Sequence, residues 1–181
     1  MRFGTKTISL KDGRTAVLRS PELTDAQALI DYLVQSAGET DFVLGYPEER
    51  NMPLETEEAF LQRVLDSPLD LMILAEVEGR LAGNCHIQFN AKLKTAHRAT
   101  VAIALLREFW NLGIGTAMFR EMIAEAQRRN IHQIELDYIQ GNERARALYE
   151  KMGFEVCGEL PDAIRLKDGT LLSEIRMRRL L

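Results

Sequence analysis

Among its 181 residues the chain holds only two cysteines, three histidines, five prolines and one tryptophan. Cys85 and Cys157 lie far apart and form no CxxC pair, which excludes a disulfide framework and a zinc ribbon; they are expected to be reduced core thiols of a cytoplasmic protein. His86, His97 and His132 have no metal-ligand spacing, so no metal site is expected. No apolar run approaches the ~20 residues of a membrane span. Met1 to Lys6 carries charge without a following apolar stretch, so no secretory leader is expected. Excess positive charge is also missing: 23 Lys and Arg stand against 27 Asp and Glu, a net charge of -4. That balance leaves no electrostatic footprint for nucleic acid or an anionic membrane, although a local basic groove for an anionic ligand stays open.

What is present fits one domain over residues 1–181, long enough to bury a full core without staples. Asp12-Gly13 predicts a hairpin turn between Thr5–Leu10 and Thr15–Arg19. Ala26, Leu29, Ile30, Leu33 and Val34 recur at helical spacing, and Leu54 to Asp66 predicts a second helix with Pro53 just inside its start. Ser36 to Met52, between them, is polar and reads as a long irregular loop of the kind that carries function. Asp70–Glu76 and Leu81–Phe89 predict a second hairpin across Glu78-Gly79-Arg80, and Ala99–Leu106 a further strand. A helix over Gly113–Arg129, a strand over Ile131–Ile139, a short helix over Asn142–Met152 and strands at Phe154–Glu159 and Leu171–Met177 complete the chain. A strand–helix–strand crossover requires one parallel pair. The remainder predicts antiparallel pairing, hence a mixed α/β fold with helices on one sheet.

Two segments carry chemistry. Trp110-Asn111-Leu112-Gly113-Ile114-Gly115-Thr116 joins a strand to an amphipathic helix through Gly-x-Gly. The first turn of a helix presents unbonded N–H groups and partial positive charge, which suit a phosphate. Alone, Gly-x-Gly is as well read as a packing turn. The second segment follows the next strand: Asn142 suits a helix N-cap and shares a face with Tyr149, two turns on. Tyr149 suits either a proton donor or an aromatic core anchor.

Together, Trp110-Asn111-Leu112-Gly113-Ile114-Gly115 and Asn142-x-x-Ala145-x-x-Leu148-Tyr149-x-x-Met152-Gly153-Phe154 resemble the two signature segments of the GNAT acetyltransferases. The family's first segment opens on Arg or Gln, and here Trp110 stands in that place. The resemblance runs from about Thr7 to the end of the chain. It implies the GNAT fold: a mixed, mostly antiparallel sheet in which one parallel strand pair splays apart and admits acetyl-CoA. Backbone of Ile103, Ala104 and Leu105 would hold the pantetheine arm and polarise the thioester carbonyl. Asn111, Leu112, Gly113, Ile114, Gly115 and Thr116 would hold the pyrophosphate, and Asn142 and Ala145 would border the cofactor arm. Tyr149 would protonate the departing sulfur while an amine attacks directly.

Many relatives carry a glutamate base on the strand before the Gly-x-Gly loop, yet Phe89 to Leu106 contains no carboxylate. Asp137, five residues before Asn142 where some relatives have an acid, is the expected base, provided burial raises its pKa; otherwise it acts only through water. His86 and His97 are rivals. Glu39, Asp41, Glu48 and Glu49 make the 36–52 loop acidic, which would suit a cationic acceptor or simply be solvated. The acceptor is expected between this loop and the last hairpin near Arg165 to Ser173. Its partner is therefore a small-molecule or peptide amine, with neither nucleic acid nor membrane involved, and a homodimer is compatible with the same reading. Two other readings compete: a non-catalytic acyl-CoA-binding regulatory domain, for which a proton donor at Tyr149 is superfluous, and a dinucleotide site, against which Met118 stands where GxGxxG needs its third glycine.

Overall fold

Lys6–Ser9 (β1) and Thr15–Arg19 (β2) fold back on each other across Asp12-Gly13, with Gly13 at a φ of 90°. In the computed structural model, which describes residues 1–181, this hairpin begins one eight-stranded sheet. Asp70–Val77 (β3) and Arg80–Phe89 (β4) form the next hairpin, and Arg98–Leu105 (β5) pairs antiparallel with β4. Gln133–Ile139 (β6) runs parallel to β5, the parallel pair the crossover requires. Glu155–Arg165 (β7) and Leu171–Leu180 (β8) close the sheet in the order β1-β2-β3-β4-β5-β6-β8-β7, so β8 lies between β6 and β7.

Ala26–Glu39 (α1) and Leu54–Asp66 (α3) cover one face, where Tyr32 of α1 reaches Asn84 on β4. Ile114–Arg128 (α4), the crossover from β5 to β6, and Glu143–Lys151 (α5) cover the other. There Phe119 of α4 packs edge-on against Tyr149 and Phe154, each pair with ring centroids 5.6 Å apart. Met118, Phe119 and Met122 are fully buried between α4 and the sheet, as their helical spacing predicts.

Four expectations are corrected. The segment Ser36 to Met52 is less irregular than its polarity suggests: α1 continues to Glu39, with Ser36 and Ala37 buried and Gln35 donating to Glu39 one turn on, and Pro47–Arg50 (α2) forms a single turn. Pro53 is the N-cap of α3, extended at ψ 143°, rather than its first helical residue. β7 runs past Glu159 through Pro161, because two register shifts in its pairing with β8 let an edge strand carry a proline. Cys85 is buried as expected, whereas Cys157 is exposed on β7, since a strand at the sheet edge has no helix above it.

One glycine governs how closely β4 and β5 approach beside the end of β5. A Cβ on Gly83 would collide with the Ala104 carbonyl oxygen and the Leu105 side chain, and lie 2.9 Å from the Leu105 Cα. Because backbone is in the way, Gly83→Ala is expected to destabilise the fold by about 1–3 kcal/mol, the usual range for overpacking. Urea denaturation would show it as a lower midpoint at unchanged slope; an unaltered midpoint would show that the strands separate freely here.

Candidate active-site cleft

β5 and β6 pair only over Arg98–Thr100 and Gln133–Glu135; beyond these positions no ladder joins them. Leu106 N–H donates to Ala82 O on β4, so the alternation of an antiparallel pair turns Ala104 toward β4 and leaves Ile103 and Leu105 facing the gap. Two side chains occupy carbonyls at this point. Tyr32 donates its hydroxyl to Ala104 O at 2.8 Å, and Trp110 Nε1 donates to Leu105 O at 2.7 Å. The gap between the strands is a cleft of about 420 Å³, within the size of small-molecule sites, lined by Val101 to Leu105 on one side and Leu136 to Tyr138 on the other.

The N-terminus of α4 opens into this cleft. Asn111 at φ 63° and Gly113 at φ 100° are both left-handed and bring the chain sharply round from the strand into the helix. The first intrahelical bond runs from Ala117 N to Gly113 O at 3.1 Å, which leaves the N–H groups of Ile114, Gly115 and Thr116 unbonded within the helix. Nothing stands within 4 Å of a Cβ built on Gly113, so that backbone is open to a ligand. A Cβ on Gly115 would lie 3.0 Å from Leu148 Cδ2 and 3.6 Å from Leu105 Cδ1. Gly115 is thus needed for α4, α5 and β5 to meet, and its replacement by Val would disturb packing before it touched any ligand.

α5 forms the remaining wall. Asn142 caps it, its Oδ1 accepting from Ala145 N at 3.2 Å, which leaves its NH₂ free to donate. Tyr149 is 7% exposed and borders the cleft, its hydroxyl bonded to no protein acceptor. Burial, with a smaller effect of Tyr138, pushes its pKa up to about 12, so the phenol keeps its proton at neutral pH. Lys11, Arg144 and Lys151 also line the cleft, against a single carboxylate, Asp137. Arg144 stacks on the Trp110 ring, which Arg107 approaches at 5.5 Å. The arrangement offers one end for an anion, a backbone edge for an extended chain and a proton donor.

The sequence pattern of the Acetyltransferase (GNAT) family matches residues 27–154. This chain belongs to the GNAT acetyltransferase family. Its relatives include the L-amino acid N-acetyltransferase AaaT of Escherichia coli, 26% identical over 114 residues that cover 62% of this chain and 70% of that protein. A GNAT-family acetyltransferase from Streptococcus pneumoniae superposes with a TM-score of 0.85 at 26% identity, covering 92% of this chain and 99% of its own. The Salmonella typhimurium protein yncA, solved with its cofactor acetyl-CoA, shares the fold at a TM-score of 0.77 and 17% identity, covering 92% of this chain and 94% of its own.

Of the residues expected to form the GNAT site, Ile103, Ala104, Leu105, Asn111, Gly113, Gly115, Thr116, Asp137, Asn142, Ala145 and Tyr149 do line one cleft. The side chains of Leu112 and Ile114 turn into the core, leaving only their backbone on that side. Asp137 lacks the burial that a direct base there requires: it is exposed and takes a bidentate pair from Arg176 at 2.7 and 3.0 Å. His86 lies outside the cleft, 2.9 Å from Asp70, with burial pushing its pKa down. His97 precedes the opposite end of β5, where its carbonyl accepts from His132 and Gln133. The acidity of the 36–52 loop is largely committed within the protein. Glu39 accepts from Arg107 N at 2.6 Å, Glu49 from Tyr46 N at 2.7 Å, and Glu48 pairs with Lys167. Thr40, Phe42 and Val43 reach the cleft from the 36–52 segment expected beside the acceptor, although none of the three was singled out; sequence reasoning missed Lys11, from a distant turn, and also Arg144 and Lys151, whose spacing with Leu148 along α5 was the available signal.

The raised Tyr149 pKa sets an alkaline signature. Between about pH 10 and about pH 12 the folded protein holds a proton here that the unfolded chain releases, so stability falls as pH rises through that window. Tyr149→Phe is expected to lessen this fall and to remove one late-titrating tyrosine from an ultraviolet titration. A Tyr149 that ionised at the ordinary value of about 10 would show the hydroxyl to be solvated.

Proposed function

We propose that this chain is an acetyl-CoA-dependent N-acetyltransferase that moves an acetyl group to a primary amine by direct attack in a ternary complex. The observation that carries this reading is the Tyr149 side chain, buried, its hydroxyl without a protein partner and placed in the same cleft as the open edge of β5. A domain that only bound an acyl-CoA would have no use for a proton donor at that point. The acceptor class accords with the E. coli relative, an L-amino acid N-acetyltransferase.

The cleft fits the cosubstrate on features of this chain. Ile114, Gly115 and Thr116 offer N–H groups at the positive end of a 15-residue helix, and Lys11, Arg144 and Lys151 add charge of the same sign for a phosphorylated group. The edge of β5 at Ile103 and Leu105 offers backbone hydrogen bonds to an amide-containing arm. When bound, the cosubstrate supplies an acyl thioester. N–H groups in the Ile103–Leu105 stretch stabilise the negative charge that develops on its carbonyl oxygen, an effect usually worth a few kcal/mol. The amine nitrogen bonds to the acyl carbon as the carbon–sulfur bond breaks. Tyr149 gives its proton to the sulfur and recovers one from solvent or from the product nitrogen. Asn142 donates to the cofactor arm through its free NH₂.

The ammonium form of the acceptor must lose a proton before it attacks. Exposed and paired with Arg176, Asp137 serves as an electrostatic partner and through water rather than as a direct base. The acceptor occupies the end of the cleft bordered by Thr40, Phe42 and Val43.

Tyr149→Phe is expected to lower kcat by roughly 10–10³-fold, the usual size of an acid–base contribution, with acetyl-CoA affinity unchanged by calorimetry. A fully active variant would reduce Tyr149 to packing. For Asp137→Asn a fall in kcat/KM of less than about tenfold is expected, with the rising limb of its pH profile retained; a larger fall with the limb lost would make Asp137 the direct base.

A further inference from the structure

Behind the cleft lies a second cavity of about 230 Å³, lined from one side by Ala37, Asp41, Leu44 and Tyr46 and from the other by Ile139, Ile164 and Arg165. Thr40 and Val43 line both cavities, so the two adjoin at these residues. Its volume falls below the ~300–1,000 Å³ of sites that hold a whole drug-sized ligand, which sizes it for part of a molecule. Beside Tyr46, α2 is tied to the β7–β8 turn. Tyr46 accepts from Lys167 N at 2.9 Å, and the Lys167 ammonium both pairs with Glu48 and sits 4.1 Å from the centre of the Tyr46 ring.

The chemistry of this cavity differs from what loop composition suggests. Glu39, Glu48 and Glu49 are engaged by Arg107, Lys167 and the Tyr46 backbone, so they do not make a cation-binding wall. Most of the lining is apolar. Its two charged members, Asp41 and Arg165, make no ion pair in the fold and remain available to a ligand. An acceptor that matches carries an apolar side chain, a carboxylate for the Arg165 guanidinium and an ammonium group for Asp41 or the adjoining cleft.

We propose that this cavity is the acceptor subsite and that it selects a free α-amino acid with an aliphatic side chain, Arg165 holding its carboxylate. The proposal rests on the N-acetyltransferase reading. In that role Arg165, Ile164 and Val43 determine specificity, whereas the transfer itself belongs to the cleft.

The test uses the full chain with acetyl-CoA and four acceptors: L-leucine, leucinamide, isopentylamine and spermidine. L-leucine is expected to have the highest kcat/KM. Arg165→Gln is expected to raise KM for L-leucine by roughly ten- to a hundredfold, the scale of a lost charge-assisted contact, and to leave isopentylamine within about twofold. Ala163→Trp, at an exposed position on the cavity rim, is expected to abolish L-leucine binding in ligand-observed NMR while acetyl-CoA affinity is kept. The NMR measurement needs no turnover, so it separates the two readings. L-leucine binding that Ala163→Trp removes, without acetyl transfer, supports the subsite and overturns the transferase. Transfer that prefers spermidine, or L-leucine kinetics untouched by both variants, overturns the subsite and leaves the transferase standing.

Discussion

Neighbouring strands share hydrogen bonds only while they stay about 4.8 Å apart. β5 and β6 keep that spacing for Arg98–Thr100 against Gln133–Glu135 and then diverge. The divergence leaves backbone donors and acceptors without a ladder, and buried polar groups need partners. Trp110 satisfies one of them, the Leu105 carbonyl at the end of β5, while Tyr32 adds a donor to the Ala104 carbonyl on the β4 side. What they leave open is a backbone edge that faces a cleft, and the cleft exists because the sheet does not close.

The rest of the site is arranged around that opening. Gly83 lets β4 run tight against the end of β5, so the gap forms on the β6 side only. Gly115 lets α4, α5 and β5 converge, which sets the positive end of α4 beside the splayed strand. α5 carries Tyr149 into the same space, its ring fixed by edge-on contact with Phe119. A phenol held there in an apolar wall stays neutral and able to donate, because burial disfavours its anion. Charge follows the same division: a chain of net charge -4 gathers Lys11, Arg144 and Lys151 at one cleft. Opposite them, the acids of residues 39–49 are mostly engaged within the protein.

Asp137 shows how a residue is placed where the sequence puts it yet in a different environment. Its position on β6 follows from the alternation of Ile134, Leu136 and Tyr138. Its partner, Arg176, comes from β8, and the insertion of β8 between β6 and β7 is a matter of sheet order that no local pattern encodes. The same insertion moves β7 to the edge, exposing Cys157 and allowing Pro161 within a strand.

Local patterns determined a good deal. Helical spacing in α4, period-two alternation in β6, the Asp12-Gly13 turn and the N-cap at Asn142 each act within a few residues, where backbone geometry and side-chain packing decide the outcome. The two signature segments likewise located the α4 N-terminus and Tyr149, because a glycine-containing strand-to-helix turn and a helix face are both local features. Only the tertiary structure decided the rest. Lys11 comes to the cleft from the first hairpin, and Thr40, Phe42 and Val43 come from the turn that follows α1. The 36–52 segment was expected to face the last hairpin, but that residues 37–46 and 163–166 enclose a separate, mostly apolar cavity follows from the position of β7 and β8 at the sheet edge. Contacts of that kind depend on strand order and on which carboxylates find internal partners, and both are settled by packing of the whole sheet rather than by the sequence near each residue.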